Sequence, residues 1–589
     1  MATRDETRPT GDGAGGEPPK RQPGWVRPAK RYGPIVAVLA VVAVLVAVFA
    51  GGDGDDGGDG TAAGEGGTTE DLIASGPMTW QRAEQEGVTG DIDWGANCDT
   101  ETGRIRLPTV YAAPCVEPFE GDNGGATATG VTEDTVKIVV YIADPELDPL
   151  FAALIGGAGG NLDPAVAQET IQDYADLYNQ VYETYGRTVE IEFFTGTGAG
   201  DDEVAARNDA IAIAEMEPFA VIGGPNQESP TFTDELTARG VPCLGGCALA
   251  LPESILSERQ PFALQGATTA DQGSLLAAEA ISNLAPPGPA ELAGDPEMEA
   301  QDRVYGLVHF DTADGDYEEA VGVFRDGLAE GGIEIGSDVP YQLDLARLQE
   351  NARTMISRLQ ADGVTTVLYF GDPITPATLT QEATAQGYFP EWILGPNLLA
   401  DTNFFARQFD QQQWENAFGV AIGPTAGATE VGTPFSVYEW AYGTEPPSNV
   451  FGVLEPPLRN AFTGVTLAGP ELTPESFRDG LFRYPPSGGG PTTPLLSWGD
   501  HGIWSGTDYG GGDDASIIWW DPEAESIDEV GNTGVGSYRF ANGGARYTLG
   551  NFPASAEEAG LFDVESSEVQ IFDPPPEDQA PDYEPPAGL

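Results

Sequence analysis

From Val136 onward, short apolar runs alternate with segments whose apolar residues recur every three or four positions. The runs VKIVVYIA (136–143), VEIEFF (189–194), FAVIG (219–223), VYGLVHF (304–310), VTTVLYF (364–370) and EWILG (391–395) have strand length and are rich in β-branched and aromatic residues. Between them Ile171, Tyr174, Tyr178, Val181, Tyr182 and Tyr185 fall at helical spacing. So do Tyr317, Ala320, Val321, Phe324 and Leu328, and then Leu348, Ala352, Met355, Ile356 and Leu359. The alternation predicts βαβ units and parallel sheets, with each stripe the buried side of a helix. There are enough units for two consecutive lobes, 131–266 and 267–424, and residues 425–500 read as helical again, a return to the first lobe.

The flanks have a different pattern. Residues 1–33 are polar and basic, 34–50 (PIVAVLAVVAVLVAVFA) are apolar, and 51–75 form an acidic Gly-rich linker. Arg21, Arg27, Lys30 and Arg31 before the apolar run orient the N-terminus inside as a cytoplasmic tail and the remainder outside. The run fits an uncleaved transmembrane helix or, with Val48-Phe49-Ala50 as a cleavage site, a secretion signal. Residues 76–130 read as a preamble pinned by a disulfide, 501–570 as a C-terminal extension whose aromatic strands form a hairpin packed on a lobe, and 571–589 as a disordered acidic tail.

Charge narrows the partners. Asp and Glu number 94 against 26 Lys and Arg, a formal charge of −68, and Lys20, Lys30 and Lys137 are the only lysines. Nucleic acid needs clustered cations to displace its counterions, so it is excluded as a partner. The four cysteines, Cys98, Cys115, Cys243 and Cys247, all follow the apolar run, in the compartment where disulfides persist, and two local bridges are the simplest pairing. The two histidines, His309 and His501, and the absence of CxxC, HExxH and Gly-x-Ser-x-Gly leave no metal, cofactor or hydrolase motif. Gly223-Gly224-Pro225 and 156–160 match neither phosphate loops nor dinucleotide fingerprints. No enzymatic activity is expected.

Ligands of open α/β sheets gather beyond the carboxyl ends of the strands, where helix N-termini offer free N–H groups. Asp163-Pro164, Ser229-Pro230 and Thr375-Pro376 each read as a capping residue followed by proline at the first helical position. Ser229 and Thr375 follow strands at the end where two lobes would face each other.

The order of segments GVTEDTVKI (130–138), PFAVIGG (218–224), RGVPCLGG (239–246), PFALQGATTADQG (261–273), RVYGLVHFD (303–311) and VTTVLYFGD (364–372) resembles the type I periplasmic binding family, the branched-chain amino-acid binding proteins. The resemblance covers roughly 130–480. It implies a two-lobed α/β fold with three crossovers, each lobe a mostly parallel sheet flanked by helices. It also implies an extracytoplasmic substrate-binding component of an ABC importer, closing on an amino acid, amide or similar small solute and passing it to an ABC permease. The family's carboxylate-binding loop corresponds to Asn226, Gln227 and Ser229, with Ala248 after the next strand, and its aromatic contact to Tyr317, a residue that fits the core equally. The acidic residue that meets a ligand ammonium corresponds to Asn397, which is uncharged here. Asp144, Asp311 and Asp372 are left to supply a counter-charge or to cap loops. The competing expectation is a membrane-anchored sensor or a structural protein of the cell envelope.

Overall fold

In a computed structural model of the chain, the described residues are 69–147, 163–200, 202–225, 230–245, 247, 251–311, 318–344, 347–397, 399–423, 434–448, 454–528, 532–569 and 583–589. The apolar segment 34–50, expected as anchor or signal, lies outside them, and no helix among the described residues is long and apolar enough to cross a membrane.

Lobe 1 is built on β1 (Thr135–Ile142), β2 (Thr188–Thr195) and β3 (Ala220–Ile222), parallel and in the order β2-β1-β3. Single parallel bridges from Val221 to Cys243 and from Cys243 to Ala263 continue this sheet, giving the strand order 2-1-3-4-5. Side chains alternate across it: Ile138, Val140 and Ile142 enter one core, Val139 and Tyr141 the other. The first core is closed by α1 (Pro164–Val181), whose Tyr174 and Tyr178 are fully buried, and the second by α2 (Glu203–Glu215) and α3 (Thr231–Ala238). Gly130 opens this lobe with φ +72°, and a Cβ there would lie 2.0 Å from the Phe219 nitrogen, so only glycine fits the approach to β1.

Lobe 2 begins with α4 (Ala270–Leu284), capped by a Thr269/Gln272 box. Its sheet joins β4 (Tyr305–Phe310), β5 (Ile335–Tyr341), β6 (Thr366–Gly371), β7 (Glu391–Asn397) and β8 (Phe418–Ala421) in the parallel order β5-β4-β6-β7-β8. The order is again 2-1-3-4-5. Helices α4 and α5 (Glu318–Glu330) cover one face, α6 (Leu348–Ala361) and α7 (Thr375–Gln386) the other.

Two strands were not evident in the sequence pattern. The segment IGSDVPY of β5 is an edge strand with alternate exposure and an interior proline, and β8 is only four residues long. The C-terminal hairpin also differs from expectation. Rather than resting on a lobe, β9 (Ala515–Ile527) pairs antiparallel with β8, and β10 (Thr533–Phe540) pairs with β9, so both belong to the lobe 2 sheet. Trp519 and Trp520 consequently face its two opposite cores.

The chain crosses between lobes three times: between Leu264 and Ala270, between Ala421 and Val437, and between Trp498 and Ala515. Between the second and third crossings α8 (Glu455–Ala468) and α9 (Pro474–Phe482) complete lobe 1. The first and third crossings are bound together, with Gln265 N–H donating to Tyr509 O (3.1 Å) and Trp498 Nε1 to Gln265 O (2.8 Å).

The preamble forms a small core of Ala83, Trp94 and the Cys98–Cys115 disulfide, beside which Trp80 tilts against Trp94 at 5.1 Å. The last residues, expected to be disordered, are tied down from 583 onward. Tyr583 donates to Asp99 (2.9 Å), Trp440 Nε1 donates to Tyr583 O (2.5 Å), and Leu589 packs on the lobe 1 core. An aromatic ring and a terminal leucine supply apolar contacts that the acidic, Pro-rich composition of the segment hides.

Candidate functional site

Each sheet reverses direction between its first and third strands, so the loops leaving those strands diverge to opposite faces and open a crevice at their carboxyl ends. In lobe 1 that point lies between β1 and β3, and in lobe 2 between β4 and β6. Ser254, after the Cys243–Cys247 loop, donates to Glu319 at the start of α5 (2.8 Å), so the carboxyl edges of the two sheets face each other.

On the lobe 1 side, Asp144 follows β1, is half-buried, and caps its own turn by accepting from Glu146 N–H at 2.8 Å. Beyond β3 the chain runs against the loop closed by the Cys243–Cys247 disulfide, whose Cα atoms are 6.2 Å apart, and Gly223 N–H donates to Gly245 O (3.0 Å). Gly224 permits this approach, since a Cβ there would lie 2.5 Å from Cys247 O. The first turn of α8 reaches the same place through Leu454 and Pro457, near Gly223 and Gly245. In that turn Glu455 accepts from Tyr178 and pairs with Arg459 at 3.2 Å, and Arg459 lies over the Tyr111 ring at 4.8 Å. Both charges are almost fully buried and serve each other within lobe 1.

On the lobe 2 side, Asp311 follows β4. Its N–H donates to Tyr341 O (2.8 Å), and its half-buried carboxylate has no hydrogen-bond or ion-pair partner among the described residues. Asp372 follows β6 and is engaged on both oxygens. One accepts from Ile374 and Thr375 N–H at 2.7 and 2.8 Å, the other from Thr375 Oγ1 at 2.7 Å and Tyr341 OH at 2.6 Å. Ile374 is the N-cap of α7 and Thr375 its first residue, and Asp372 holds the turn before them by accepting from both N–H groups. Burial, and after it the adjacent Asp372 charge, pushes the Tyr341 and Tyr369 phenols far above their ordinary value. Asn397 at the end of β7 is held by its own turn, accepting from Asp401 N–H and donating to Gly395 O, both at 3.1 Å. His309 is buried on β4, with Nε2 3.0 Å from Asp338 and Arg325, a supporting rather than an exposed position.

The structure thus brings Asp144, Asp311 and Asp372 to the two crevices, with Asn397 one strand away. Asn226, Gln227, Ser229, Ala248 and Tyr317 lie outside the described residues.

The seam where the lobes join has a chemistry that periodicity could not indicate, because its members are far apart in sequence. Glu253 accepts from Tyr509 N–H at 3.1 Å, and Asp271 accepts from Glu253 N–H at 2.7 Å. Asp508 accepts from Gln272 at 2.6 Å, and Asp513 from Ser497 and Trp504 at 2.6 and 2.8 Å. Burial, with the Asp271 charge beside it, pushes Glu253 up to about 7. Burial and neighbouring carboxylates also raise Asp271 and Asp508, and Asp513 to about 6.

No family model matches the chain, and no curated protein matches it. Solved structures do. One is the leucine-, isoleucine-, valine-, threonine- and alanine-binding protein of Brucella ovis in its closed conformation, 11% identical, TM-score 0.49, matched over 74% of this chain and 100% of that one. A second is an ABC transporter substrate-binding protein of Sphaerobacter thermophilus, 14% identical, TM-score 0.47, over 72% and 100%. A third is a fatty acid ABC transporter substrate-binding protein of Thermomonospora curvata, 15% identical, TM-score 0.43, over 76% and 98%. These neighbours are solute-binding proteins. The strand order within each lobe, rather than likeness at these identities, defines the architecture of this chain.

Proposed function

We propose that this chain is an extracytoplasmic solute-binding protein that closes its two lobes around a small solute and presents it to an ABC permease, tethered or exported through the apolar segment 34–50. The observation that carries the proposal is the repeated 2-1-3-4-5 strand order, which sets two crevices edge to edge on lobes joined by three crossings. Each lobe contributes part of the contacts, so the solute shifts an equilibrium toward the closed form and no reaction is catalysed.

The solute class follows from the charges at the crevices. Asp144 and Asp311 each place a half-buried carboxylate there, and Asp311 is unpaired among the described residues. An amino acid, amide or similar solute with an ammonium or N–H group meets them, while the loop of Asn226, Gln227 and Ser229, with Ala248, takes the opposite end and Tyr317 packs against the solute. Asp372 positions Tyr341 and the start of α7 rather than giving up its hydrogen bonds. Asn397 shapes the adjoining turn.

A thermal-shift screen of the purified chain against amino acids, amides, urea, nucleosides, sugars and short peptides tests this, since a ligand that binds only the native state raises its stability. A saturable shift with amine- or amide-bearing solutes that drops about tenfold in affinity in Asp311→Asn is expected. Folded, ligand-free protein that responds to none of them would instead favour an envelope or sensory role.

A further inference from the structure

Away from the crevices, the preamble, the stretch 486–488 that follows α9, and Tyr583 of the C-terminal segment together enclose a half-open cavity of about 250 Å³, walled in part by Thr102, Arg104, Leu107, Val110, Ser487 and Tyr583. Its volume is near the lower end of the roughly 300–1,000 Å³ typical of small-molecule sites, a size for a short organic acid rather than a nucleotide or peptide. Among the described residues no carboxylate lines this wall directly, and Asp99 stands behind it, hydrogen-bonded to Thr102 and Tyr583.

Arg104 is the distinctive group. Nη1 donates to the backbone oxygens of Val110 and Ala112, at 3.3 and 2.6 Å, and Nη2 donates to Ser487 Oγ at 2.8 Å. All three acceptors are neutral, and no carboxylate lies within ion-pair distance of Arg104 among the described residues. A guanidinium has five N–H donors in a rigid fork, so Nε–H and the second Nη2 hydrogen remain unassigned. The fork is held by two backbone oxygens and a buried serine, so its orientation is fixed before any ligand arrives. Thr102 and Tyr583, which also line the cavity, both donate to Asp99, at 3.0 and 2.9 Å, which leaves their oxygen lone pairs as acceptors. The cavity therefore combines guanidinium donors, hydroxyl acceptors and the aliphatic side chains of Ile105, Leu107 and Val110.

We propose that this cavity is a second binding site, separate from the lobe crevices, for a short organic carboxylate whose oxygens meet the free edge of Arg104. A hydroxyl at the far end of the ligand would donate to Thr102 or Tyr583, so a hydroxy acid binds better than its unsubstituted parent. Because its walls come from the preamble, the stretch 486–488 after α9 and Tyr583 of the C-terminal segment, an occupied cavity fastens these three elements together.

Isothermal titration of the full chain with butyrate, 3-hydroxybutyrate and succinate tests the site. Saturable binding near one equivalent is expected, tighter for 3-hydroxybutyrate than for butyrate. Val110→Phe, which fills the cavity and leaves the Val110 carbonyl in place, should weaken binding about tenfold or more, and Arg104→Lys should do likewise by removing the fork. Circular dichroism and unchanged thermal unfolding of Val110→Phe separate this from misfolding. No saturable heat up to about 10 mM acid, a range covering even millimolar affinity, overturns the proposal. Binding untouched by Val110→Phe but lost in Asp311→Asn also overturns it, by placing the acid in the lobe crevice.

Discussion

Lobe 2 carries its five parallel strands as extended ladders and then adds an antiparallel hairpin, whereas in lobe 1 the fourth and fifth strands shrink to single bridges at Cys243 and Ala263. The two lobes share a strand order, so the difference lies in what replaces the missing ladder. In lobe 2 the sheet itself continues, with Trp519 and Trp520 packed into its two faces. In lobe 1 the edge at Cys243 is tied by a disulfide, while the buried Glu455–Arg459 pair binds α8 to Tyr178 and a preamble docks on the outer core. Beyond the ladders that both lobes share, lobe 2 is extended by backbone pairing and the edge of lobe 1 is tied by a disulfide, and perturbing each should reveal that division.

The largest effect is expected from Trp520→Ala. The ring is fully buried, sits edge-on to Tyr538 at 5.0 Å, and donates Nε1–H to Gln411 at 2.8 Å. Its removal leaves a cavity and an orphaned amide, a loss of about 3–5 kcal/mol. Urea unfolding followed by hydrogen exchange should show the loss concentrated in lobe 2.

Disulfide removal is the matching test of lobe 1. By the chain-entropy relation, the 17-residue separation of Cys98–Cys115 is worth about 3 kcal/mol and the four-residue separation of Cys243–Cys247 about 2 kcal/mol. Paired serine substitutions should therefore rank in that order by urea midpoint. Only Cys243→Ser/Cys247→Ser should also weaken solute binding, since that loop borders the crevice. Equal effects on binding from both pairs would remove the special standing given to the Cys243 loop.

How much of this was legible in the sequence depends on how local each signal was. The apolar run of β1, the tyrosines of α1 and the two cysteine pairs are set by near neighbours, and all three are found where composition, periodicity and spacing placed them. The junction of β9 with β8 was hidden, because roughly a hundred residues separate partners that recognise each other only through backbone pairing. The start of α7 was half-visible: the Thr375-Pro376 pair marked it to within one residue, while the N-cap is Ile374 and the Asp372 carboxylate that holds the turn before it also draws on Tyr341 from a neighbouring element. The acidic seam of Glu253, Asp271, Asp508 and Asp513 left no trace in the sequence, since 94 carboxylates give no hint of which few are buried.

Asp372→Asn sharpens the comparison from the lobe 2 side. The amide keeps one acceptor for the Ile374 and Thr375 N–H groups but presents a donor where the Tyr341 and Thr375 hydroxyls now donate. Mismatched buried hydrogen bonds of this kind cost about 1–3 kcal/mol, and the unfolding midpoint should fall accordingly. A variant as stable as the parent would mean that α7 starts without this carboxylate.

The smallest effect belongs to neither lobe but to their seam, and it depends on pH. Glu253 stands at about 7 in the folded chain, above the ordinary carboxylate value it regains on unfolding. Between those values the folded state binds more protons than the unfolded state, so stability falls as pH rises through that window. Asp513 at about 6, together with Asp271 and Asp508, acts in the same direction. Asp99 and Glu382 are shifted oppositely: burial raises them, but hydrogen bonds from Glu101 N–H and Tyr583, and from Gln386 and Arg353, outweigh it. Their contribution is lost only below the ordinary carboxylate range, outside the window. Half-buried His501, lowered below its ordinary value, opposes the raised carboxyls inside the window, but one imidazole stands against four of them, so thermal unfolding should occur at higher temperature at pH 5 than at pH 8. Glu253→Gln, neutral at every pH, should match the parent at pH 5 and exceed it at pH 8 by about 2–4 °C for each kcal/mol recovered. Parallel pH profiles for parent and variant would show that Glu253 is ionised in the folded seam and would remove it as the source of the pH dependence.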